Sequence, residues 1–241
     1  MFIVAHRGFH KNFPENTLNA FKAAIGIADF VEMDIHKTKD NKLIVYHIPT
    51  ITIGKKKLFI EDLTYAEIFN QNRTGPLFET VLKELKGKIK LLIEIKSKNI
   101  ETEVLTLIKK YLKYNDFGII SFDYKTLHKI KQLDPKVHVG LIIGLLDLEI
   151  GLFRSLVRFI YEYLFTNKIL EKYNIDFIGA GEHTECLFFH WTKKNKKIFV
   201  WTVDVKRINK YLSKKYEDTI EGIITNEPDL AKKLLKNRLI N

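Results

Sequence analysis

The sequence predicts an α/β chain folded as a (β/α)8 TIM barrel, with an extra antiparallel hairpin strand after the second barrel strand. Three observations carry that prediction. Short apolar runs alternate with amphipathic stretches, the signature of repeated strand-helix units. Eight such runs can be counted along the chain. The length, 241 residues, is close to the roughly 250 typical of this architecture. A single domain over residues 1–241 follows, large enough to bury a sizeable core without a linker. A composition of 46% hydrophobic and 29% charged residues is that of an ordinary globular protein and excludes disorder.

Barrel strands are expected at 3–6, 30–34, 91–96, 117–121, 137–142, 176–179, 198–203 and 222–225. The clearest helices are expected at 17–28, 101–114, 124–132 and 228–236. One interval breaks the alternation. Residues 35–42 are too few for a parallel crossover, so residues 43–47 are expected to return antiparallel. A two-residue turn at Asp40-Asn41 would set Asp34 opposite His47.

In a barrel the C-terminal ends of the strands carry the chemistry. His6, Glu32, Asp34, Glu94, Lys96 and Trp201 all fall at or near such ends. Glu32 and Asp34 are two apart and share one strand face, which Glu94 on the neighbouring strand can join. Three carboxylates in one place repel, and a hard divalent cation relieves the repulsion. An all-oxygen donor set points to Mg2+ or Ca2+ rather than zinc. His6 and His47 are the candidate acid and base, since imidazole takes up and releases protons near neutral pH. The sequence leaves open which is which. Arg7 and Lys96 offer fixed positive charge for a phosphodiester, the first as a planar fork and the second as a point charge. Trp201 either lines the substrate pocket or packs in the core, and His10 lies in a loop near the same rim. His183 and His190 read as surface or packing residues, and Glu15 as a helix-start carboxylate.

Forty Lys and Arg against 29 Asp and Glu give a net charge of +11. That suits an anionic small molecule or surface, while nucleic acid is disfavoured because no aromatic-interleaved basic motif appears. The single cysteine, Cys186, allows neither an intramolecular disulfide nor a Cys-based metal site, which fits a reducing compartment. With no secretory signal pattern, a cytoplasmic location is expected. The stretch 141–165 is the most apolar, but Asp147, Glu149, Arg154, Arg158 and Glu162 interrupt it, so it is not expected to span a membrane. A helix packed on the barrel is the favoured reading, and a weak membrane-surface contact the minority one.

The run His6-Arg7-Gly8, then Pro14-Glu15-Asn16-Thr17, Glu32-x-Asp34, Thr38-Lys39-Asp40, His47, Ile93-Glu94-Ile95-Lys96, Ile120-Ser121-Phe122, Trp201-Thr202-Val203 and Gly222-Ile223-Ile224-Thr225 with Pro228 resembles the glycerophosphodiester phosphodiesterase family. The resemblance implies metal-dependent hydrolysis of glycerophosphodiesters to glycerol 3-phosphate and an alcohol, with the substrate's own glycerol hydroxyl as first nucleophile. It also implies His6 and His47 as the catalytic pair, Glu32, Asp34 and Glu94 as metal ligands, and Arg7 and Lys96 as phosphate binders. Two positions depart from the family pattern: Ile48 and Asp204, where Asp and Asn are usual. The alternatives are a phospholipid-cleaving phospholipase D or lyase of the same barrel type, and an inactive barrel that binds phospholipid head groups. The oligomeric state is left open.

Overall fold

A computed structural model describes residues 1–72, 75–144, 152–182, 184 and 197–240. Cys186, His183, His190 and the charged pair Asp147 and Glu149 lie outside the described residues.

Eight parallel strands close into a barrel: β1 (Phe2–Ala5), β2 (Phe30–Lys37), β6 (Lys90–Ile95), β7 (Phe117–Ser121), β8 (Val139–Ile143), β9 (Phe177–Gly181), β10 (Lys197–Val203) and β11 (Ile220–Thr225). Each pairs with the next, and β1 completes the ring by pairing with both β11 and β2. Along these strands successive side chains alternate sides, as a period of two requires. Ile3, Met33, Ile93, Ile119, Leu141 and Val200 face outward into the main core, under helices that contribute Phe21, Phe78, Leu82 and Leu127. Val4, Leu92, Ile120, Ile142, Phe199 and Ile224 face inward and fill the barrel.

The extra strand β3 (Leu43–Val45) runs antiparallel to β2, as expected. Its register differs from the expected one. Lys37 pairs with Leu43 and Ile35 with Val45, one residue away from the pairing of Asp34 with His47. The cause is the turn. Thr38 N–H reaches the Lys42 carbonyl and Asn41 takes a left-handed φ of 60°, so Lys39, Asp40 and Asn41 form a three-residue loop rather than a two-residue one. β2 therefore touches β1 only through Phe30 and Val31, and its far end, standing above the rim, pairs with β3 instead. His47 lies two residues past the end of β3.

A second hairpin, β4 (Thr50–Ile53) and β5 (Lys56–Phe59), follows β3 and was not anticipated. It leads into α2 (Tyr65–Asn72), and α3 (Phe78–Leu85) precedes β6. Ile44, Ile51, Ile60 and Ile68 give this excursion its own small core. The first helix, α1 (Leu18–Ala23), is shorter than expected, because the chain turns after Ala24 and Gly26 takes φ +80°. Thr17 caps it, accepting from Ala20 N–H. Helices α4 (Glu101–Tyr111) and α5 (Tyr124–Leu133) sit where the sequence places them. The long helix α6 (Leu152–Lys172) joins β8 to β9, and Pro228–Ile240 forms the last helix. None of the described helices is long and apolar enough to cross a membrane.

Candidate active site

A cavity of about 360 Å³ opens among the C-terminal strand ends. His6, Arg7, Glu32, His47, Glu94 and Lys96 line one part of it, and Leu92, Ile120, Ile142, Phe177, Phe199 and Ile224 line the rest. The polar half comes from the ends of β1, β2 and β6 and from His47 in the segment after β3, and the apolar half from β6 through β11.

The carboxylates meet because the strands bring them into line. Glu32 and Asp34 share the inward face of β2, and Asp34 pairs in register with Glu94 on β6. One oxygen from each of Glu32, Asp34 and Glu94 lies within 4.8 Å of the others, and all three residues are buried. Burial and the mutual repulsion of like charges push Glu32 well above the usual carboxylate range. Glu94 rises to about 7: burial raises it, the Lys96 ammonium opposes, and the Asp34 charge adds. Asp34 ends below its ordinary value; burial would raise it, but Lys96, His47, Arg7 and the Asn16 amide together outweigh that. Oxygen-only donors held together against their own repulsion fit a hard divalent cation.

Two cations hold the cluster from either side. Lys96 Nζ lies 2.7 Å from Glu94 Oε1 and 3.5 Å from Asp34 Oδ1. Arg7 takes a left-handed φ of 53°, which lets its backbone N–H donate to Glu32 Oε2 at 2.8 Å while its Nε lies 3.5 Å from Asp34 Oδ2. Arg7 Nη1 also donates to both oxygens of Glu15 at 3.0 Å. Glu15 thus anchors the guanidinium, a correction to the helix-start role expected for it. Gly8 follows at φ +87°, its α-carbon so close to α1 that a Cβ would meet the Ala20 backbone at 2.7 Å.

His6 leaves β1 at the rim, and its Nδ1–H donates to Asn226 Oδ1 at 2.8 Å. The bond fixes the tautomer, so Nε2 keeps its lone pair. Burial, reinforced by Arg7, drops its pKa to about 3. His47 lines the same cavity, also lowered, first by burial. His47 therefore reaches the site despite the shifted register, because the segment after β3 descends to the rim. His10 Nε2 reaches the same Asn226 oxygen at 3.3 Å.

Trp201 lines the cavity rather than burying itself in the core. Its Nε1–H donates to the Gly179 carbonyl at 3.0 Å, and Phe122 meets it edge to face at 5.4 Å. A Cβ at Gly144 would strike the indole at 2.8 Å, so that position leaves the ring its seat. Ile48 is 49% exposed. Asp204 serves locally, accepting from Lys206 N–H to cap a short turn.

Sequence reasoning missed three supporting residues. Asn16 is buried and donates Nδ2–H to Asp34 Oδ2 at 2.8 Å. Asn226 holds His6. His36 is buried, its Nε2–H donating to the His47 carbonyl at 3.3 Å and its Nδ1 facing Ser97 Oγ at 3.4 Å. Only His36 carried a usable signal: it follows Glu32 and Asp34 at the same spacing of two along β2 and so shares their face of the strand.

A barrel whose mouth gathers acidic oxygens, imidazoles and fixed cations around one cavity is the kind that works on phosphate esters. The chain belongs to the glycerophosphoryl diester phosphodiesterase family, whose profile matches residues 6–230, and it is accordingly a phosphoric diester hydrolase. It is 30% identical over 257 aligned residues to a glycerophosphodiester phosphodiesterase of Caldanaerobacter subterraneus subsp. tengcongensis, covering 97% of each chain. The crystal structure of a glycerophosphodiester phosphodiesterase from Thermotoga maritima superposes with a TM-score of 0.73 at 25% identity, covering 97% of this chain and 98% of that one. A phosphodiesterase of Oleispira antarctica, solved with the product sn-glycerol-3-phosphate, shares the fold at a TM-score of 0.73 and 15% identity over 98% and 97% of the two chains.

Proposed function

We propose that the chain, acting as one domain over residues 1–241, hydrolyses glycerophosphodiesters to glycerol 3-phosphate and an alcohol with a divalent cation, Mg2+ or Ca2+, at Glu32, Asp34 and Glu94. The observation that carries this reading is the convergence of those carboxylates with His6, His47, Arg7 and Lys96 around one cavity. The glycerol 3-phosphate bound by the Oleispira antarctica phosphodiesterase supports the same product here.

The cation, when bound, would supply charge that offsets the negative charge building up on the phosphoryl oxygens. Arg7 and Lys96 hold the phosphodiester by charge-assisted hydrogen bonds, and the apolar half of the cavity excludes water and so strengthens those contacts. His6, neutral at pH 7 with a free Nε2, takes the proton of the glycerol hydroxyl as that oxygen attacks phosphorus. His47 enters the step in its protonated form, which the Asp34 carboxylate favours, and delivers that proton to the departing alcohol oxygen, ending neutral. Water then opens the cyclic phosphate to give glycerol 3-phosphate, with the two imidazoles exchanging roles. Trp201 walls the pocket on the side of the organic groups.

The test is direct. Protein with glycerophosphocholine and Mg2+ or Ca2+ should release glycerol 3-phosphate. Chelator, and separately His47→Ala, should abolish the release. Absence of turnover across several head groups with cation present would sink the reading, and lysophospholipid turnover without glycerophosphocholine turnover would favour the phospholipase D alternative.

A further inference from the structure

The exposed apolar surface is concentrated on one helix. Leu156, Val157, Ile160, Tyr161, Leu164 and Phe165 of α6 are each between 38% and 63% exposed. Their spacing, alternately one and three residues apart, puts them on one side of the helix. Isolated exposed apolar residues need no account, whereas a contiguous stripe marks an interaction surface. The end of the same helix is ordinary, with Thr166, Ile169 and Leu170 buried and the latter two joined to the main core.

Helix α6 has 21 residues, against 11 in α4 and 10 in α5. At 1.5 Å per residue that is roughly 31 Å against about 16 Å. The five-residue strand β8 that it follows spans only about 17 Å. A barrel helix runs back from the C-terminal rim to the start of the next strand. Ile169, Leu170 and Ile175 fix the far end of α6 against the barrel. Its surplus length therefore projects past the rim on which the cavity opens, and the exposed stripe lies in and next to that overhang. Other exposed apolar side chains follow strand ends at the same rim: Phe13 after β1, Ile48 beside His47, and Val205 after β10.

We infer that this rim docks on the surface of an anionic lipid bilayer, the α6 stripe lying in the interface and the cavity mouth facing the lipid head groups. Charge selects the occupant. A second copy would bring the same net +11 against this one, while an anionic bilayer attracts it. Lys168 and Lys172 follow the stripe at successive turns, both exposed, with Lys168 Nζ 5.7 Å from the Phe165 ring centre. Basic heads beside an apolar stripe are the pattern of a helix lying in a membrane interface. The contact is peripheral, and it holds whichever diester the site cleaves.

Sedimentation of the full chain with vesicles tests it. Binding to phosphatidylcholine vesicles containing phosphatidylglycerol should exceed binding to pure phosphatidylcholine by roughly tenfold or more and should weaken in high salt. The triple variant Leu156→Ser, Ile160→Ser, Leu164→Ser should partition at least roughly tenfold less, with unchanged circular dichroism and unchanged hydrolysis of soluble glycerophosphocholine. Should that variant misfold, an environment-sensitive dye on Ile160→Cys in a Cys186→Ser background should shift to the blue on anionic vesicles. Failure of the wild type to bind, equal binding by a folded triple variant, no dye shift, or a dimer that this variant dissociates would each overturn the inference.

Discussion

Asn226 Oδ1 accepts the Nδ1–H of His6 at 2.8 Å across 220 positions of sequence. The closing of the barrel makes the contact: Ala5 and Thr225 are paired neighbours on β1 and β11, so the residues that follow them emerge side by side. The amide oxygen demands a proton on Nδ1 and thereby keeps Nε2 free to accept one. Asn226→Leu removes that demand without changing the cavity walls. We expect kcat to fall roughly ten- to a hundredfold with KM little changed, as for other residues that orient a reacting group. Steady-state kinetics with equal kcat in both proteins would refute the role.

His36 does for His47 through the backbone what Asn226 does for His6 through the side chain. Its Nε2–H holds the His47 carbonyl, so His36→Leu should lower kcat by about tenfold, and His36→Gln, which retains a donor, should recover most of it. Burial lowers the pKa of His36 from 6.5 to about 4. A group depressed in this way gives full stability above pH 6.5 and loses it as the pH falls towards 4, because the unfolded chain takes up the proton first. The advantage of wild type over His36→Gln should therefore shrink by about 2–3 kcal/mol between pH 7 and pH 4, in denaturant melts. A difference that stays flat with pH would contradict the assignment.

The barrel was legible because its signals are local: each apolar run with its outward and inward alternation, such as Leu91–Ile95, announces a strand by itself. The gathering of the candidate site residues around one cavity was legible because residues at strand ends must share a rim. What escaped is set by long-range or subtle geometry. The three-residue loop differs from a two-residue one only by the left-handed Asn41, which moves the whole register by one position. The pairing of Glu15 with Arg7 and of Asn16 with Asp34 depends on how the β1–α1 loop folds back over the mouth. The hairpin of β4 and β5 was hidden by its lysines, which look like a solvated loop because Lys56 and Lys57, on opposite faces of β5, are both exposed.

The strained acidic cluster predicts how a cation and pH compete. A divalent ion needs ionised carboxylates, and Glu94 holds its proton up to about pH 7. Mg2+ or Ca2+ at about a hundred times its dissociation constant should stabilise the fold by about 2.7 kcal/mol, a rise in Tm of roughly 5–10 °C at pH 8. The rise should fade as the pH drops through 7, since protons then occupy the site. Glu94→Gln should abolish it at every pH. A Tm shift that persists in Glu94→Gln would place the cation elsewhere.

Gly8 joins the rim end of β1 to the first helix, and two independent constraints act on it. Its φ of +87° disfavours any side chain, and an added Cβ would lie 2.7 Å from the Ala20 carbonyl carbon, a backbone atom that cannot rotate away. Relieving the overlap would move α1 outward, and with it Asn16 and Glu15, which hold Asp34 and Arg7. Gly8→Ala should therefore cost about 2–4 kcal/mol of stability. It should also lower kcat in the fraction that remains folded, because the guanidinium and the acidic cluster lose their anchors together. Gly87 also has positive φ, at +70°, but nothing within 4 Å of an added Cβ, so Gly87→Ala isolates the dihedral cost. Thermal melts in which the two substitutions cost the same, with kcat untouched in both, would show that the close approach of Gly8 to Ala20 has no bearing on the site.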